Sequence, residues 1–380
     1  MNQVTIKNSY LNICKEINAD LLTPISIINN LAEELRDGAV LESAEPQDRQ
    51  NIQSFIALRP IAQLRVQNKT VCQTLESKTE RLQLAPLEAL RNLVTYFSVI
   101  QTNSLQAMRH CAIGYLSYDA VRLFENIPDR HMNRHDLPEM LFSFYQTMLI
   151  FDHRQKKLHI STLVQTSEPT KLAVAKVEAE IEALVNKISA SKMQLKSHKP
   201  PAKQSILETD LSDPEFCEKI AKAKNYITAG DAFQIVLSRQ FKKAIEAEPL
   251  DIYRALHQVS PAPYMFYLNF NNVTVLGASP EKLISVHNQE VTIHPIAGTR
   301  RSNPQRTAEE ITEELLNDKK ERAEHMMLVD LAPNDLGAVC TPGSVQVKEL
   351  LQVKHFSHVS HITSTITGQL RKGLDAINAL

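Results

Sequence analysis

Residues 141–160 read LFSFYQTMLIFDHRQKKLHI and indicate a fold built on a large sheet. In an extended chain, positions 142, 144, 146, 148 and 150 point to one side and the intervening positions to the other. Both sets are mainly apolar, as expected of a strand that is buried on both faces. The polar stretch 153–157 then predicts a turn, and Leu158 to Ile160 predict the partner strand of a hairpin.

The segments on either side of this hairpin predict a mixture of helices and strands. Apolar residues recur at helical spacing over 169–190. Short apolar runs predict strands at 232–237, 264–269, 273–277, 282–286, 290–295 and 359–366. We therefore predict an α+β fold with an N-terminal region at 1–190, a linker at 191–210 that is rich in Lys and contains Pro200, and a second domain at 211–380.

Three further helices are predicted in the second half. Ser212 and Glu215 have the spacing of a capping box, and Gly230 predicts the end of that helix. Its predicted buried stripe is Phe216, Ile220, Ala223 and Ile227. Thr307 and Glu310 form a second capping box, and a further helix is predicted at 318–331.

The composition restricts the classes of function. The chain has 42 Lys and Arg against 43 Asp and Glu, so it lacks the basic excess of a nucleic-acid-binding protein. Its five cysteines are widely spaced, which predicts free thiols rather than disulfides or a zinc site. The N-terminus has no signal-peptide pattern, and no apolar run reaches the length of about 18 residues that a membrane helix needs. We expect a cytoplasmic protein without a nucleic-acid or membrane partner.

Residues 320–330, KERAEHMMLVD, contain a carboxylate pair on a predicted helix. Glu321 and Glu324 are three residues apart, so their side chains leave the same helix face. Two such carboxylates can hold Mg²⁺, which commonly uses one or two protein carboxylates with water and substrate oxygens. The alternative is a solvated charged face, since lysines and an arginine are close by.

Two segments with a candidate acid and a candidate substrate contact precede that helix. In GASPE at 277–281, Glu281 follows a strand and a proline turn. A carboxyl that is desolvated there has a raised pKa and can act as a general acid. In HPIAGTRR at 294–301, Gly298 allows close backbone approach, and Thr299 can bind a carboxylate. A surface glutamate and a simple turn are the respective alternatives.

The predicted strand at 359–366 carries His361, within HVSHITS at 358–364. A histidine on a strand can act on a substrate as an acid, a base or a hydrogen-bond donor. The alternative is a core histidine with its hydrogen bonds satisfied. No phosphate-loop fingerprint, dinucleotide fingerprint or nucleophile elbow is present.

Taken together, these four segments resemble anthranilate synthase component I, one of the chorismate-utilising enzymes. The resemblance extends in order along nearly the whole chain. It also includes ADLLTP at 19–24, VLESAE at 40–45, GYLSYD at 114–119, AGDAFQIV at 229–236 and PAPYMF at 261–266. The implied fold is the family's large αββα-type sandwich, with chorismate bound at Mg²⁺ between sheet and helices.

The resemblance implies roles for the candidate residues. Glu324 is implied as a Mg²⁺ ligand with Glu321 beside it, and Glu281 as the acid that protonates the departing C4 hydroxyl of chorismate. His361 is implied near the departing groups, and Gly298 and Thr299 at the substrate. Ammonia then attacks C2, and elimination of pyruvate gives anthranilate.

Ala297 separates this interpretation from related enzymes. Isochorismate, salicylate and aminodeoxychorismate synthases generally have Lys in the matching slot, whereas ammonia needs no such base or nucleophile. The use of ammonia implies a glutamine amidotransferase subunit as partner. The alternative functions are a related isochorismate or aminodeoxychorismate synthase, or a non-catalytic remnant.

The resemblance also implies feedback inhibition by tryptophan in the N-terminal half. The matching residues lie in two short stretches: Leu41, Glu42 and Ser43, and Pro263, Tyr264 and Met265.

Three departures from the family pattern lead to further expectations. Pro333 and Ala338 stand where Arg is usual, and Pro333 is expected to weaken or break its helix. Ser260 replaces an Asn in the feedback motif. The family continues beyond the position of Leu380 through a glycine-rich segment to a second metal-binding Glu, so the fold is expected to lack its C-terminal part. Residues 1–380 alone are therefore expected to be inactive and poorly soluble.

Overall fold

A computed structural model describes residues 9–43, 52–101, 110–128, 136–166, 171–190, 206–303, 305–356 and 359–380. Within these ranges, no helix combines the length and the apolar character needed to cross a membrane.

The described residues form 18 strands, numbered here in chain order. They are β1 Ser9–Asn18, β2 Gly38–Glu42, β3 Gln53–Gln67, β4 Thr70–Leu75, β5 Lys78–Leu82, β6 Ser98–Gln101, β7 Ala112–Leu116, β8 Met140–Asp152, β9 Lys157–Thr166, β10 Leu207–Thr209, β11 Phe241–Lys243, β12 Tyr264–Asn269, β13 Thr274–Ser279, β14 Ser285–His287, β15 Glu290–Ile293, β16 Ile296–Arg301, β17 Gln346–His355 and β18 Val359–Gln369.

Eight α-helices accompany these strands in the described ranges. They are α1 Pro24–Asn30, α2 Pro86–Tyr96, α3 Lys171–Ser189, α4 Asp213–Ala229, α5 Pro249–Val259, α6 Ala308–Asn317, α7 Lys319–Val339 and α8 Ala376–Ala379. Two 3₁₀ helices cover Glu34–Asp37 and Tyr118–Leu123.

The larger sheet is built around the predicted hairpin. Its main path runs β13-β12-β2-β3-β8-β9-β1-β6, and β4, β5 and β7 pair at its margin. The hairpin of β8 and β9 is confirmed, with Asp152 opposite Lys157 across the turn. Residues of both faces of β8 are buried: Phe144 lies in a cluster with residues of α2, and Tyr145 lies in a cluster with residues of β2, β3 and β12. The sheet joins distant parts of the sequence, since β12 pairs with β2.

A second sheet carries the C-terminal motifs. Its path runs β14-β15-β18-β16, and β17 pairs with the other edge of β18. Helices α6 and α7 cover one face: Ile311 and Leu315 pack on Ile362, and Ala332 and Leu336 pack near Ile366. This arrangement brings the start of α7 next to β16 and β18.

Contacts divide the chain into two compact units. The first comprises Met1–Lys192 with Tyr253–Leu380 and holds both of these sheets. The second, Met193–Ile252, holds α4 and the two-stranded pair β10-β11. The predicted linker at 191–210 falls largely on residues 191–205, which lie outside the described ranges, so the predicted domain boundaries stay a prediction. The mixed α/β architecture is the one predicted.

Most local predictions in the second half are confirmed. Strand β12 coincides with the predicted 264–269, and β13, β14, β15 and β18 begin within three residues of their predictions. Both capping boxes are present, at Ser212 with Glu215 and at Thr307 with Glu310. Gly230 ends α4 in the left-handed conformation, with φ of 82°.

Two predictions in the second unit are wrong. Residues 232–237 are not a strand, because no partner strand pairs with them among the described residues; Phe233 and Val236 are exposed. The stripe of α4 is also not buried: Phe216, Ile220 and Ala223 are half-buried at most, and Ile227 is exposed. An apolar stripe is buried only where a second surface covers it.

The expectation that Pro333 breaks its helix is also wrong. Helix α7 continues through Pro333 to Val339, well past the predicted end at residue 331. Pro333 lies on the exposed side, whereas Ala332 and Leu336 are buried against the second sheet. Packing on both sides of the proline therefore holds the helix together despite the lost hydrogen bond.

Candidate active site

A bulge at Gly298 shapes the strand around which the site is built. The pairing of β16 with β18 shifts register between Ala297 and Thr299, and Gly298 has a φ of 84°. A Cβ at this position would lie 2.8 Å from Cδ1 of Ile362 and 3.5 Å from Cβ of Glu321. Glycine is therefore required both by the backbone conformation and by the closeness of its neighbours. The bulge turns Thr299 outward, where it is exposed.

Thr299 connects the carboxylate of Glu321 on α7 to His361 on β18. Its backbone N–H donates to Oε2 of Glu321 over 3.2 Å. Its hydroxyl is hydrogen-bonded to Nδ1 of His361, with 2.9 Å between the two atoms. Three candidate residues that are far apart in sequence thus lie on one chain of hydrogen bonds.

Glu281 also contacts strand β16. Its carboxyl accepts a hydrogen bond from the Ile296 backbone, next to Ala297 and Gly298. The residue is exposed as a whole, but desolvation of the carboxyl raises its pKa, and the Ile296 hydrogen bond only partly opposes this. A raised pKa keeps more of the carboxyl protonated, which suits the predicted general acid.

The two carboxylates of α7 share one cation. Nζ of Lys320 lies 3.5 Å from Oε1 of Glu321 and 3.8 Å from Oε2 of Glu324. The ammonium group thus occupies the position of a cation between them, and the pair fits the two protein carboxylates that Mg²⁺ commonly uses. The described residues contain no group of three or more His, Cys, Asp or Glu arranged for a metal.

Burial favours the neutral form of the two histidines at this site. Desolvation lowers the pKa of His361, and a hydrogen bond to the Gly298 backbone partly opposes it. Desolvation likewise lowers the pKa of His325, which is fully buried on α7 and bonds through Nε2 to Oγ of Ser364 over 2.7 Å. His361 is therefore suited to exchange hydrogen bonds with a substrate, whereas His325 fixes α7 against β18. His358 of the same motif lies outside the described residues.

The two stretches of the predicted tryptophan pocket are neighbours in the larger sheet. Strand β2 pairs with β12 so that Glu42 is opposite Met265 and Leu41 is opposite Phe266. Pro263 and Met265 are buried, while Leu41, Ser43 and Tyr264 are half-buried. Segments more than two hundred positions apart in sequence are thus placed side by side.

Glu42 has partners that the sequence analysis did not identify. Its buried carboxylate accepts a hydrogen bond from the Tyr253 hydroxyl over 2.8 Å, and Nε2 of His257 lies 3.4 Å from its other oxygen. The Glu42 hydrogen bond raises the pKa of His257. Tyr253 and His257 are four residues apart and so share one face of α5, a signal that was available in the sequence.

Arg300 is a third residue that the sequence analysis did not identify. It contacts Glu314, Asp318 and Glu321 at the start of α7. No local pattern marks it, because its partners come from two helices that the sequence does not place beside β16.

Comparisons with known proteins show the family and the fold of this chain. The profile of the chorismate binding enzyme family matches residues 39–380. Anthranilate synthase component 1 of Acetivibrio thermocellus is 32% identical over 375 residues, which are 97% of this chain and 76% of that protein. The crystal structure of anthranilate synthase component I from Streptococcus pneumoniae superposes with a TM-score of 0.71 at 27% identity, covering 96% of this chain and 78% of that one. The menaquinone-specific isochorismate synthase of Escherichia coli shares the fold, with a TM-score of 0.59 at 15% identity over 97% of this chain and 74% of its own.

Proposed function

This chain belongs to the chorismate-binding enzyme family, and we propose that it carries the active site of an anthranilate synthase component 1. The reaction converts chorismate and ammonia into anthranilate, pyruvate and water. The observation that carries the proposal is the convergence of the candidate residues on β16. Glu281 is bonded to Ile296, while Glu321 and His361 are bonded to Thr299.

Glu281 supplies the proton for the leaving hydroxyl. Loss of the C4 hydroxyl of chorismate as water requires a proton donor, and the raised pKa of Glu281 keeps its carboxyl in the donor form at higher pH than an ordinary glutamate. Thr299 and His361 provide a hydrogen-bonded pair of polar groups on β16 and β18. They orient the substrate so that the C4 hydroxyl faces Glu281.

Glu321 and Glu324 would hold the Mg²⁺ that this chemistry needs. When bound, the ion supplies positive charge to a substrate carboxylate and orients the ring. Lys320 then loses its position between the two carboxylates and moves into solvent, since its side chain is 80% exposed.

Ala297 supports ammonia rather than water as the nucleophile. It is a buried residue of β16, beside the bulge that shapes the site. An alanine offers neither a base to activate water nor an amine to attack the ring. Ammonia is already nucleophilic when neutral, so the absence of a lysine at this position favours addition of nitrogen at C2. We infer a glutamine amidotransferase subunit as the source of ammonia.

Tryptophan is the proposed inhibitor, bound where Leu41 to Ser43 meet Pro263 to Met265. The pairing of β2 with β12 supports this, because it brings the two stretches together beside a buried carboxylate, Glu42. A carboxylate in that position can bind the ammonium group of an amino acid.

Product analysis tests the proposal. Two proteins are compared: residues 1–380, and an extended protein in which they are followed by the segment that comes after the match in the Acetivibrio thermocellus relative. Each is incubated with chorismate, Mg²⁺ and ammonium, and the products are separated by chromatography. We expect the extended protein to form anthranilate and pyruvate in equal amounts. Isochorismate or aminodeoxychorismate as the product of either protein would contradict the proposal.

A further inference from the structure

Arg300 on β16 makes four polar contacts, and two of them are with the start of α7. Its Nε donates to Oε1 of Glu314 over 2.6 Å, and its Nη2 bonds to Asp318. Its Nη1 donates to the Thr299 carbonyl over 3.0 Å and lies 3.4 Å from Oε1 of Glu321. The guanidinium is three-quarters buried, with 25% of the side chain exposed. The proposed reaction gives it no direct part.

Asp318 extends this network into the backbone of α7. As the N-cap, it accepts hydrogen bonds from the N–H groups of Lys320 over 2.9 Å and Glu321 over 3.1 Å. The carboxylate that starts the helix is therefore the same one that Arg300 holds. The direction in which Glu321 leaves the helix is fixed relative to β16, and only 14% of its side chain is exposed.

The charges around Arg300 distinguish two kinds of carboxylate. Glu314 is held by Arg300 and by Arg306, and Asp318 by Arg300 and the helix N–H groups. Glu321 receives a looser contact from Arg300, while Glu324 is 3.8 Å from Lys320. Glu314 and Asp318 are therefore held in structural contacts. Glu321 and Glu324 are held more loosely and face the proposed metal position.

We propose that Arg300 is a positioning residue for the metal-binding carboxylate Glu321. It holds Glu321 beside Thr299 and keeps Glu314 and Asp318 neutralised, so that a divalent cation meets Glu321 and Glu324 rather than the neighbouring carboxylates. This inference rests on the proposed function, which makes Glu321 and Glu324 the metal-binding pair. Residues that orient metal ligands are commonly worth about 10- to 100-fold in metal affinity.

The experiment measures binding of Mg²⁺ rather than turnover. Mg²⁺ is titrated by calorimetry into the extended protein with chorismate present and ammonium absent. The variants are Arg300→Met and the control Arg306→Met, which also removes an arginine from Glu314 but does not reach Asp318 or Glu321. We expect Arg300→Met to bind Mg²⁺ about 10- to 100-fold more weakly. Arg306→Met should keep the wild-type affinity for Mg²⁺, while it loses thermal stability to an extent similar to that of Arg300→Met.

The outcomes separate the inference from the function on which it rests. Wild-type affinity in Arg300→Met would overturn the positioning role and leave the metal site intact. A loss of Mg²⁺ affinity in both variants that parallels their loss of thermal stability would also overturn it, because Arg300 would then only stabilise the fold. No Mg²⁺ binding by the wild-type protein would overturn the proposed metal site itself. If Arg300→Met does not fold, Arg300→Lys decides by the same criteria, because lysine keeps the charge but not the forked geometry.

Discussion

Glu281, the proposed general acid, is an exposed residue whose carboxyl has a raised pKa. Its carboxyl lies against β16, and the loss of water there raises its pKa above the ordinary value of 4.5. A general acid must be protonated to act, so activity should fall as pH rises through this raised pKa. This decline in activity should occur at a higher pH than it would for a glutamate with an ordinary pKa.

Replacing Glu281 by Gln in the extended protein should lower the turnover number by about 10²- to 10⁴-fold, the usual contribution of one general acid. The pH dependence assigned to Glu281 should disappear with it. Steady-state kinetics across pH provides the measurement. Glu290→Gln on β15 is the control and should behave as wild type. Unchanged turnover in Glu281→Gln would exclude the proton-donor role.

Gly298 is a residue whose importance depends on its surroundings as well as on its backbone. Alanine there adopts a left-handed conformation, which costs about 1–2 kcal/mol, and also crowds Ile362. Gly343 is a matched control, because its φ is 79° but a Cβ would meet nothing within 4 Å. We expect Gly298→Ala to reduce the free energy of unfolding more than Gly343→Ala does, as measured by urea denaturation. Equal losses would show that packing against β18 is unimportant.

Helix α7 illustrates a conflict between local propensity and tertiary packing. Pro333 lies within it and on its exposed side, so its substitution affects the helix without leaving a cavity. Pro333→Ala should raise the free energy of unfolding, with about 3 kcal/mol as the upper limit set by helix propensities. Thermal and urea unfolding test this. Pro214→Ala is the control, since Pro214 lies in the first turn of α4, where proline is tolerated, and should give no gain. Destabilisation of Pro333→Ala would mean that the proline itself stabilises α7.

The elements that the sequence predicted well are those with local signals. The hairpin of β8 and β9 follows from alternation and a polar turn, and the capping boxes at Ser212 and Thr307 follow from side chains that bond within four residues. The strand predicted at 232–237 failed because a strand also needs a partner, which no local pattern supplies.

The candidate site shows the same division between local and long-range signals. Glu281, Thr299, Glu321 and His361 were identified from motifs, but their convergence on β16 and the contacts of Arg300 and Tyr253 depend on long-range pairing.

At the scale of the whole molecule, the larger sheet unites distant parts of the chain. Strands β12 and β13 extend the sheet that begins with N-terminal strands, and α5 brings Tyr253 and His257 to Glu42. A ligand bound where β2 meets β12 therefore contacts the segment that leads, through β13, directly to Glu281. This continuity provides a physical connection between the proposed inhibitor site and the proposed acid.

Tryptophan binding can be observed directly because the chain contains no Trp of its own. Fluorescence anisotropy of tryptophan, titrated with the extended protein, should rise on binding. Tyr253→Phe removes the hydroxyl that bonds to Glu42 and should weaken affinity about tenfold, equivalent to ~1.5 kcal/mol for a hydrogen bond to a charged group. Tyr226→Phe on the exposed side of α4 is the control. Unchanged anisotropy with wild-type protein would remove tryptophan regulation from this account.

The most direct test of the central claim follows the nitrogen atom. The extended protein is supplied with chorismate, Mg²⁺ and ¹⁵N-labelled ammonium, and the products are identified by mass spectrometry. We expect anthranilate that carries ¹⁵N in its amino group, with one pyruvate released for each anthranilate. An unlabelled isochorismate, or a ¹⁵N-labelled product that keeps its enolpyruvyl group, would contradict the claim that the residues gathered on β16 form an anthranilate synthase site.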